Sequence, residues 1–322
     1  MDKTTRPPAK LPFALPKICF GTSPLGDMPG TYGYSVSEEQ ARETINEMLS
    51  ELPCFIDTSR NYGMGRSEER LGAVIRERGG LPDGCVLATK IDRDMNTNVL
   101  DAAQTRRSVE ESLEALGLDR LQILHLHDPE HCANLEDITG KGGALEELFK
   151  MKKEGLVDAV GLAMGHLPMM SDILADWDFD ALVNHNRFSL LNRSADQLFS
   201  DAHARGIAIF NAAPYAGGIL AKGASKIQRI TYQDADEAGL ALVRRIEDIC
   251  ERHDVPMGAA ALQFSMKDPR VTSTVIGVSK PERIRQTRTW ASHPTDDSFW
   301  HELLDLSTNL EDPEANRIYS PD

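Results

Sequence analysis

The chain has 322 residues, 41% hydrophobic and 26% charged, with a formal net charge of −15. Length alone admits one large domain or two ordinary ones, and the composition can bury a sizeable core. The negative balance excludes a general binder of nucleic-acid backbones, which would present a basic face. No apolar run approaches the roughly 18 residues that cross a membrane, and the N-terminal stretch lacks the apolar segment of a secretory signal. The five cysteines are scattered with no CxxC pair. A cytoplasmic protein without a disulfide framework is therefore expected.

Short apolar runs alternate with helical patterns along the chain. A strand is predicted over 17–21, followed by Ser37-Glu-Glu-Gln40, which has capping-box spacing before a helix over 41–49. A strand over 55–58 leads into the amphipathic stretch 69–75, and a third strand covers 86–91. A helix over 108–116 stops at Gly117, a strand spans 121–127, and a helix over 145–153 stops near Gly155. Strands over 159–163, 181–185 and 208–212 follow, with a helix over 195–204 ending before Gly206. Residues 213–235 hold Gly217, Gly218 and Gly223 without clear periodicity and read as one long functional loop. Helices over 243–252 and 258–266 precede an eighth strand over 274–278, and the tail from 292 holds a short helix over 299–306. The strand runs are mostly continuous rather than alternating, as in strands buried on both faces. Strict alternation of eight strand–helix units predicts an α/β protein, a closed (β/α)8 TIM barrel. One domain over 1–322 is expected, with its core at about 16–290 and the tail 291–322 folded over the barrel mouth. No G-x-G-x-x-G follows the first strand, which argues against a Rossmann domain.

The most informative segment is Phe55-Ile-Asp57-Thr-Ser-Arg-Asn-Tyr62-Gly63-Met-Gly65-Arg-Ser67-Glu68. It puts a carboxylate at a strand end and a tyrosine on the next loop, where parallel α/β proteins build active sites. This segment resembles the signature of the aldo-keto reductase family. Ala88-Thr89-Lys90-Ile91 and Leu124-His125-Leu126-His127-Asp128-Pro129 extend the resemblance, which runs from about residue 16 to about 290. It implies a catalytic set of Asp57, Tyr62, Lys90 and His127. A free tyrosine is too weak an acid at neutral pH, so a neighbouring ammonium and an imidazole are needed to move its proton. His125 lies two residues from His127 on the same strand face, and the family pattern selects His127, leaving His125 to a layer inside the barrel. The His-x-His pair, with Asp128, His131, Cys132 and His185, also admits a metal-ligand reading. The pair comes from the fourth strand rather than the first, as it would in a metal-dependent hydrolase barrel, so no metal is expected.

The run Val275-Ile276-Gly277-Val278-Ser279-Lys280-Pro281-Glu282-Arg283 resembles the family's dinucleotide segment after the eighth strand. The resemblance implies NAD or NADP held by Gly21, Thr22, Asp57, His185, Pro214, Tyr215, Gly217, Ile219, Gly277, Val278, Ser279, Arg283, Gln286 and Thr287. Gly277 stands where many NADPH-specific members carry lysine, which points to dual use or a preference for NAD. Ala163 and Met164 replace the usual Ser-Asn pair, His185 replaces a glutamine, and Ala212 falls near an expected aromatic. Residues 184–193 and 211–220 resemble a branch whose members oxidise a hemiacetal or aldehyde with NAD or NADP, and there Asn186 and Arg187 are candidate contacts. The expected activity is oxidation of the C1 hemiacetal of an aldose such as L-fucose or D-arabinose to a lactone. Alternatives are an NADPH-dependent aldehyde or ketone reductase, a pyridoxal 4-dehydrogenase, and a regulatory protein that holds the dinucleotide without turnover. The expected partner is a small sugar or aldehyde, with no nucleic acid and no membrane, in a monomer or weak homo-oligomer.

Overall fold

Residues rich in branched and small apolar side chains, with few polar interruptions, can be buried on both faces only inside a parallel sheet wrapped by helices. The computed structural model, which describes residues 10–315, meets that condition with a closed barrel. Its strands are β1 (Ile18–Gly21), β2 (Cys54–Asp57), β3 (Cys85–Ile91), β4 (Leu121–His127), β5 (Val157–Ala163), β6 (Ala181–His185), β7 (Ala208–Ala212) and β10 (Val271–Gly277). They neighbour one another in the order β1-β10-β7-β6-β5-β4-β3-β2, every pair parallel. Gly21 closes the ring, opposite Gly277 on one side and Asp57 on the other.

Inside the barrel, Leu15, Cys19, Phe55, Ile123 and Phe210 form a buried layer, with the rings of Phe55 and Phe210 edge to face at 5.1 Å. Each such phenylalanine contributes about 1.5–3 kcal/mol by leaving water. His125 shares this interior, its ring edge-on to Phe210 at 5.8 Å. Room for it comes from Gly161 on β5, where a Cβ would approach His125 Nδ1 to 2.1 Å. No helix among the described residues is long and apolar enough to cross a membrane.

Several expectations need correction. The last barrel strand runs over Val271–Gly277 rather than the expected 274–278, taking in the hydroxyl-bearing Thr272 and Ser273. Those hydroxyls are satisfied within the sheet, Ser273 Oγ donating to Pro16 O at 2.8 Å and Thr272 Oγ1 accepting from Ile209 N at 3.1 Å. Helices Leu167–Asp176 and Pro281–Ala291 complete the alternation. Ser37 caps Glu38–Met48 by accepting from Gln40 N, but the reciprocal bond is not made: Gln40 Nε2 donates to Ser279 O at 2.7 Å instead. The stretch read as one long loop contains the short helix Ile219–Lys222 and a hairpin of β8 (Arg229–Ile230) and β9 (Gln233–Asp234). Its two-residue turn puts Thr231 and Tyr232 at φ 50° and 67°, a conformation that Asn and Gly ordinarily announce.

After helix Asp297–Leu304 the tail crosses toward the end of β6. Asn309 bridges Asn192, and Asn192 Nδ2 donates to Glu311 O at 2.8 Å. The N-terminal stretch read for a signal (residues 1–9) and the polar end of the tail (316–322) lie outside the described residues.

Candidate active site

Parallel strands that all end on one face bring their C-terminal residues together. Asp57 is the last residue of β2, Lys90 the penultimate residue of β3 and His127 the last residue of β4. Lys90 Nζ donates to Asp57 Oδ1 at 2.7 Å, Asp57 Oδ2 at 2.8 Å and Thr58 O at 2.6 Å. Lys90 is 2% exposed and Asp57 5%, so the pair is desolvated and each charge depends on the other. The ammonium sits 4.7 Å from the centroid of the Tyr62 ring, and the His127 ring meets that ring edge-on at 5.9 Å.

The loop carrying Tyr62 is pinned by backbone packing. Gly63 has φ +64°, and a Cβ there would come within 1.9 Å of Gly26 O, so only glycine permits the contact. Enclosure in the cavity, then the carboxylate of Asp57, hold the Tyr62 phenol well above its ordinary value. The resting residue is therefore a phenol with its proton in place. Burial works against charge on His127, but Asp128 and Asp92 outweigh it and hold the imidazole above its ordinary value. His125, with no counter-charge, is held well below by burial and then by Lys90.

Asp92 was not singled out from the sequence. It follows β3 directly, and its carboxylate meets His127 Nδ1 at 2.5 Å, Ser59 Oγ at 2.6 Å and Asn61 N at 2.9 Å. The available signal was its position two residues beyond Lys90, which returns it to the same side of an extended chain.

One cavity of about 960 Å³ runs from this cluster to the start of the Pro281 helix. Asp57, Tyr62, Lys90 and His127 line it, as do Gly21, His185, Tyr215, Gly217, Gly277, Val278, Ser279, Arg283, Gln286 and Thr287. Thr22, Pro214 and Ile219 are not brought to its surface. The Thr22 hydroxyl donates to Asp57 O and accepts from Ser67 behind the wall, Pro214 is buried, and Ile219 packs in an apolar cluster with Leu190 and Val243. Ala163, Met164 and Ala212, the replacements noted from sequence, do line it. Asn186 also lines it, whereas Arg187 is drawn away: its guanidinium donates to Glu314 at 2.8 Å and Asp312 at 2.6 Å. The tail thus reaches the cavity wall through Glu314, which also lies 3.1 Å from His185 Nδ1.

Lys222, Lys226, Arg229, Lys280 and Arg283 stand around the far part of the cavity. None has an acidic partner among the described residues, although the chain carries a net charge of −15. Such a concentration of unpaired cations fits the phosphates of a dinucleotide. No group of three or more His, Cys, Asp or Glu side chains placed to hold a metal occurs among the described residues.

Residues 17–307 match the model of the Aldo/keto reductase family. Pyridoxal 4-dehydrogenase of Microbacterium luteolum is 29% identical, over 88% of this chain and 91% of that protein. D-threo-aldose 1-dehydrogenase of a Pseudomonas species is also 29% identical, over 95% of this chain and 98% of that protein. Among solved structures, the holo form of an aldo-keto reductase from Bacillus halodurans shares the fold, with a TM-score of 0.74 over 98% of this chain and 99% of that one, at 18% identity. With the barrel, the cluster at its mouth and the match over most of its length, the chain belongs to the aldo/keto reductase family and is an oxidoreductase of carbonyl and CH–OH groups that works with a nicotinamide dinucleotide.

Proposed function

We propose that the chain oxidises the C1 hemiacetal of an aldose to its lactone, using NAD or NADP. The observation that carries this reading is the joining, in one cavity, of the Asp57–Lys90–Tyr62–His127 cluster with a cationic far end. The relative named D-threo-aldose 1-dehydrogenase supports the sugar class. So do polar groups that line the same cavity as Tyr62, among them Ser23, Asn61 and Asp128, which offer partners for the remaining hydroxyls.

The nicotinamide, when bound, supplies the hydride acceptor. The chain's own residues handle the proton. Tyr62 takes it from the C1 hydroxyl, and because Tyr62 rests as a phenol its own proton must move on. His127, whose ring meets the Tyr62 ring edge-on at 5.9 Å, is the group we assign to receive it. Asp57 fixes the Lys90 ammonium against the Tyr62 ring. The residues assigned to the dinucleotide are those that line the cavity from Gly21 and His185 to Arg283, Gln286 and Thr287. Five cations compensate for the missing lysine at Gly277, so both dinucleotides are accommodated. Fluorescence titration should find their affinities within about a hundredfold, roughly 2.7 kcal/mol; a wider gap would refute dual use.

Pyridoxal, which also closes to a cyclic hemiacetal, is the second reading. The relative named for it and the Tyr32–Tyr34 ring pair at the cavity (centroids 5.9 Å apart) favour it. Initial rates of dinucleotide reduction across aldoses and pyridoxal, set beside reduction of simple aldehydes, test both. Aldose oxidation should dominate, and efficient aldehyde reduction without aldose oxidation would overturn the proposal.

A further inference from the structure

Asp92 makes more bonds than a surface carboxylate needs and touches no cavity wall of its own. It is 5% exposed. Three donors converge on it, from His127, Ser59 and the Asn61 backbone, while its own N–H donates to Ser108 Oγ at 2.9 Å. Burial alone would push such a carboxyl up, but His127 and these hydrogen bonds outweigh it and hold Asp92 below its ordinary range. An ionised carboxylate only accepts hydrogen bonds, so the proton on the facing nitrogen of His127 is fixed at Nδ1. Ser59 Oγ, 3.3 Å from the same nitrogen, gives its hydrogen to Asp92 and leaves only a lone pair toward the ring. Nε2 is left as the free acceptor of the neutral ring, with Asp128 Oδ2 at 3.5 Å.

We propose that Asp92 is a positioning residue of the proton transfer: it holds His127 in the Nδ1–H tautomer so that Nε2 can take the proton passed on by Tyr62, and it balances the imidazolium that results. The inference rests on the reading of Tyr62 as the group that exchanges a proton with the substrate. In oxidation the electron pair of the C1–H bond leaves with the hydride for the nicotinamide. The O–H proton goes to the Tyr62 oxygen as the Tyr62 proton goes to Nε2, and the C1–O double bond forms. Reduction runs the same transfers backwards.

The titratable groups that act on His127 are Asp92 and Lys90 from β3 and its end, Tyr62 from the loop after β2, and His125 and Asp128 from β4 and its end. Of these, Asp92 alone bonds to Nδ1. The rival to this role is a purely structural one, in which Asp92 only ties down the 59–61 turn. Asp92→Asn separates the two roles. Its amide oxygen can still accept from Ser59 and Asn61, while its NH₂ faces His127 and forces the ring proton to Nε2.

Two measurements on the full-length protein decide the matter. Nitrogen-15 NMR of histidine-labelled wild type should show His127 protonated at Nδ1, with a far-downfield proton resonance that disappears in Asp92→Asn. In the pH profile of kcat for oxidation, the limb that rises as His127 loses its proton should move to lower pH in Asp92→Asn, because the neighbouring negative charge is gone. The rate itself should fall between about 10- and 10⁴-fold with unchanged dinucleotide affinity. An Nε2–H tautomer in the wild type would overturn the proposal. So would an Asp92→Asn enzyme whose rate and pH limb match the wild type. Because the tautomer is read without substrate, it needs no folded variant and stands apart from the choice of aldose. If Nδ1–H is found but Tyr62→Phe keeps its rate, the reading of Tyr62 has failed and the tautomer assignment survives.

Discussion

Replacing Lys90 with methionine keeps an unbranched side chain one atom shorter and removes its charge. Asp57 then remains buried, with neither of the contacts at 2.7 and 2.8 Å that the ammonium made to its oxygens. Stranding one member of a buried ion pair costs about 3–5 kcal/mol, because the remaining charge has lost both water and partner. Asp57→Asn strands the ammonium instead and should cost a similar amount, softened by the bond to Thr58 O that Lys90 keeps. The double variant leaves no buried charge, so its loss of stability should be well below the sum of the two single losses. Turnover should behave differently. All three variants lack the cation–carboxylate support beneath Tyr62 and should lose on the order of 10²–10⁴-fold in rate. Urea unfolding gives the stabilities, and initial rates at saturating dinucleotide give the activities. A double variant destabilised by the full sum would refute mutual compensation in this pair. Activity within about tenfold of wild type in Lys90→Met would remove Lys90 from the chemistry.

Tyr62→Phe should lower turnover by about 10²–10⁴-fold while the dinucleotide still binds, as measured by fluorescence quenching. Glu68 lies buried behind the site, accepting from Thr89 at 2.5 Å, and burial raises its carboxyl to about 7. A carboxyl raised on folding favours the native state at low pH, and that contribution is lost as pH rises from the unfolded value of about 4.3 through about 7. Glu68→Gln should therefore flatten the pH dependence of unfolding and gain up to about 3 kcal/mol above neutrality; an unchanged urea midpoint at pH 8 would contradict this. Gly161→Ala puts a methyl group against His125 and should cost at least about 1–3 kcal/mol, visible as a lowered thermal midpoint. Pairing it with His125→Ala should recover part of that loss.

Much of the barrel was legible because a strand buried on both faces writes itself as a continuous apolar run. Strands β4, β6 and β7 fall on 121–127, 181–185 and 208–212 as the runs predicted. Boundaries shifted where a strand residue carries a polar group satisfied inside the sheet, as with Thr272 and Ser273, or paired at its edge, as Asp158 is with Arg120. The β8–β9 hairpin left no signal, because Thr231 and Tyr232 occupy a turn that usually needs Asn or Gly. At the site, the structure brings Asp57, Tyr62, Lys90 and His127 together as the sequence led one to expect, because the motif sets Asp57, Lys90 and His127 at strand ends and Tyr62 on the loop after β2. The pairing of Arg187 with Asp312 and Glu314 could not, since more than a hundred residues separate the partners and nothing local marks them. Thr22 and Ile219 show the finer limit: a residue can lie within a cofactor motif and still turn its side chain into the wall behind the cavity.

The most direct test of the central claim follows the hydrogen itself. An aldose deuterated at C1, L-fucose or D-arabinose, is incubated with the protein and NAD or NADP, and the reduced dinucleotide is examined by mass spectrometry while the sugar product is trapped as its hydroxamate. Deuterium on the nicotinamide, together with a hydroxamate from the lactone, is the expected result. Reduced dinucleotide without the label, or no turnover of any C1-labelled aldose by an enzyme that readily reduces aldehydes, would contradict oxidation at C1.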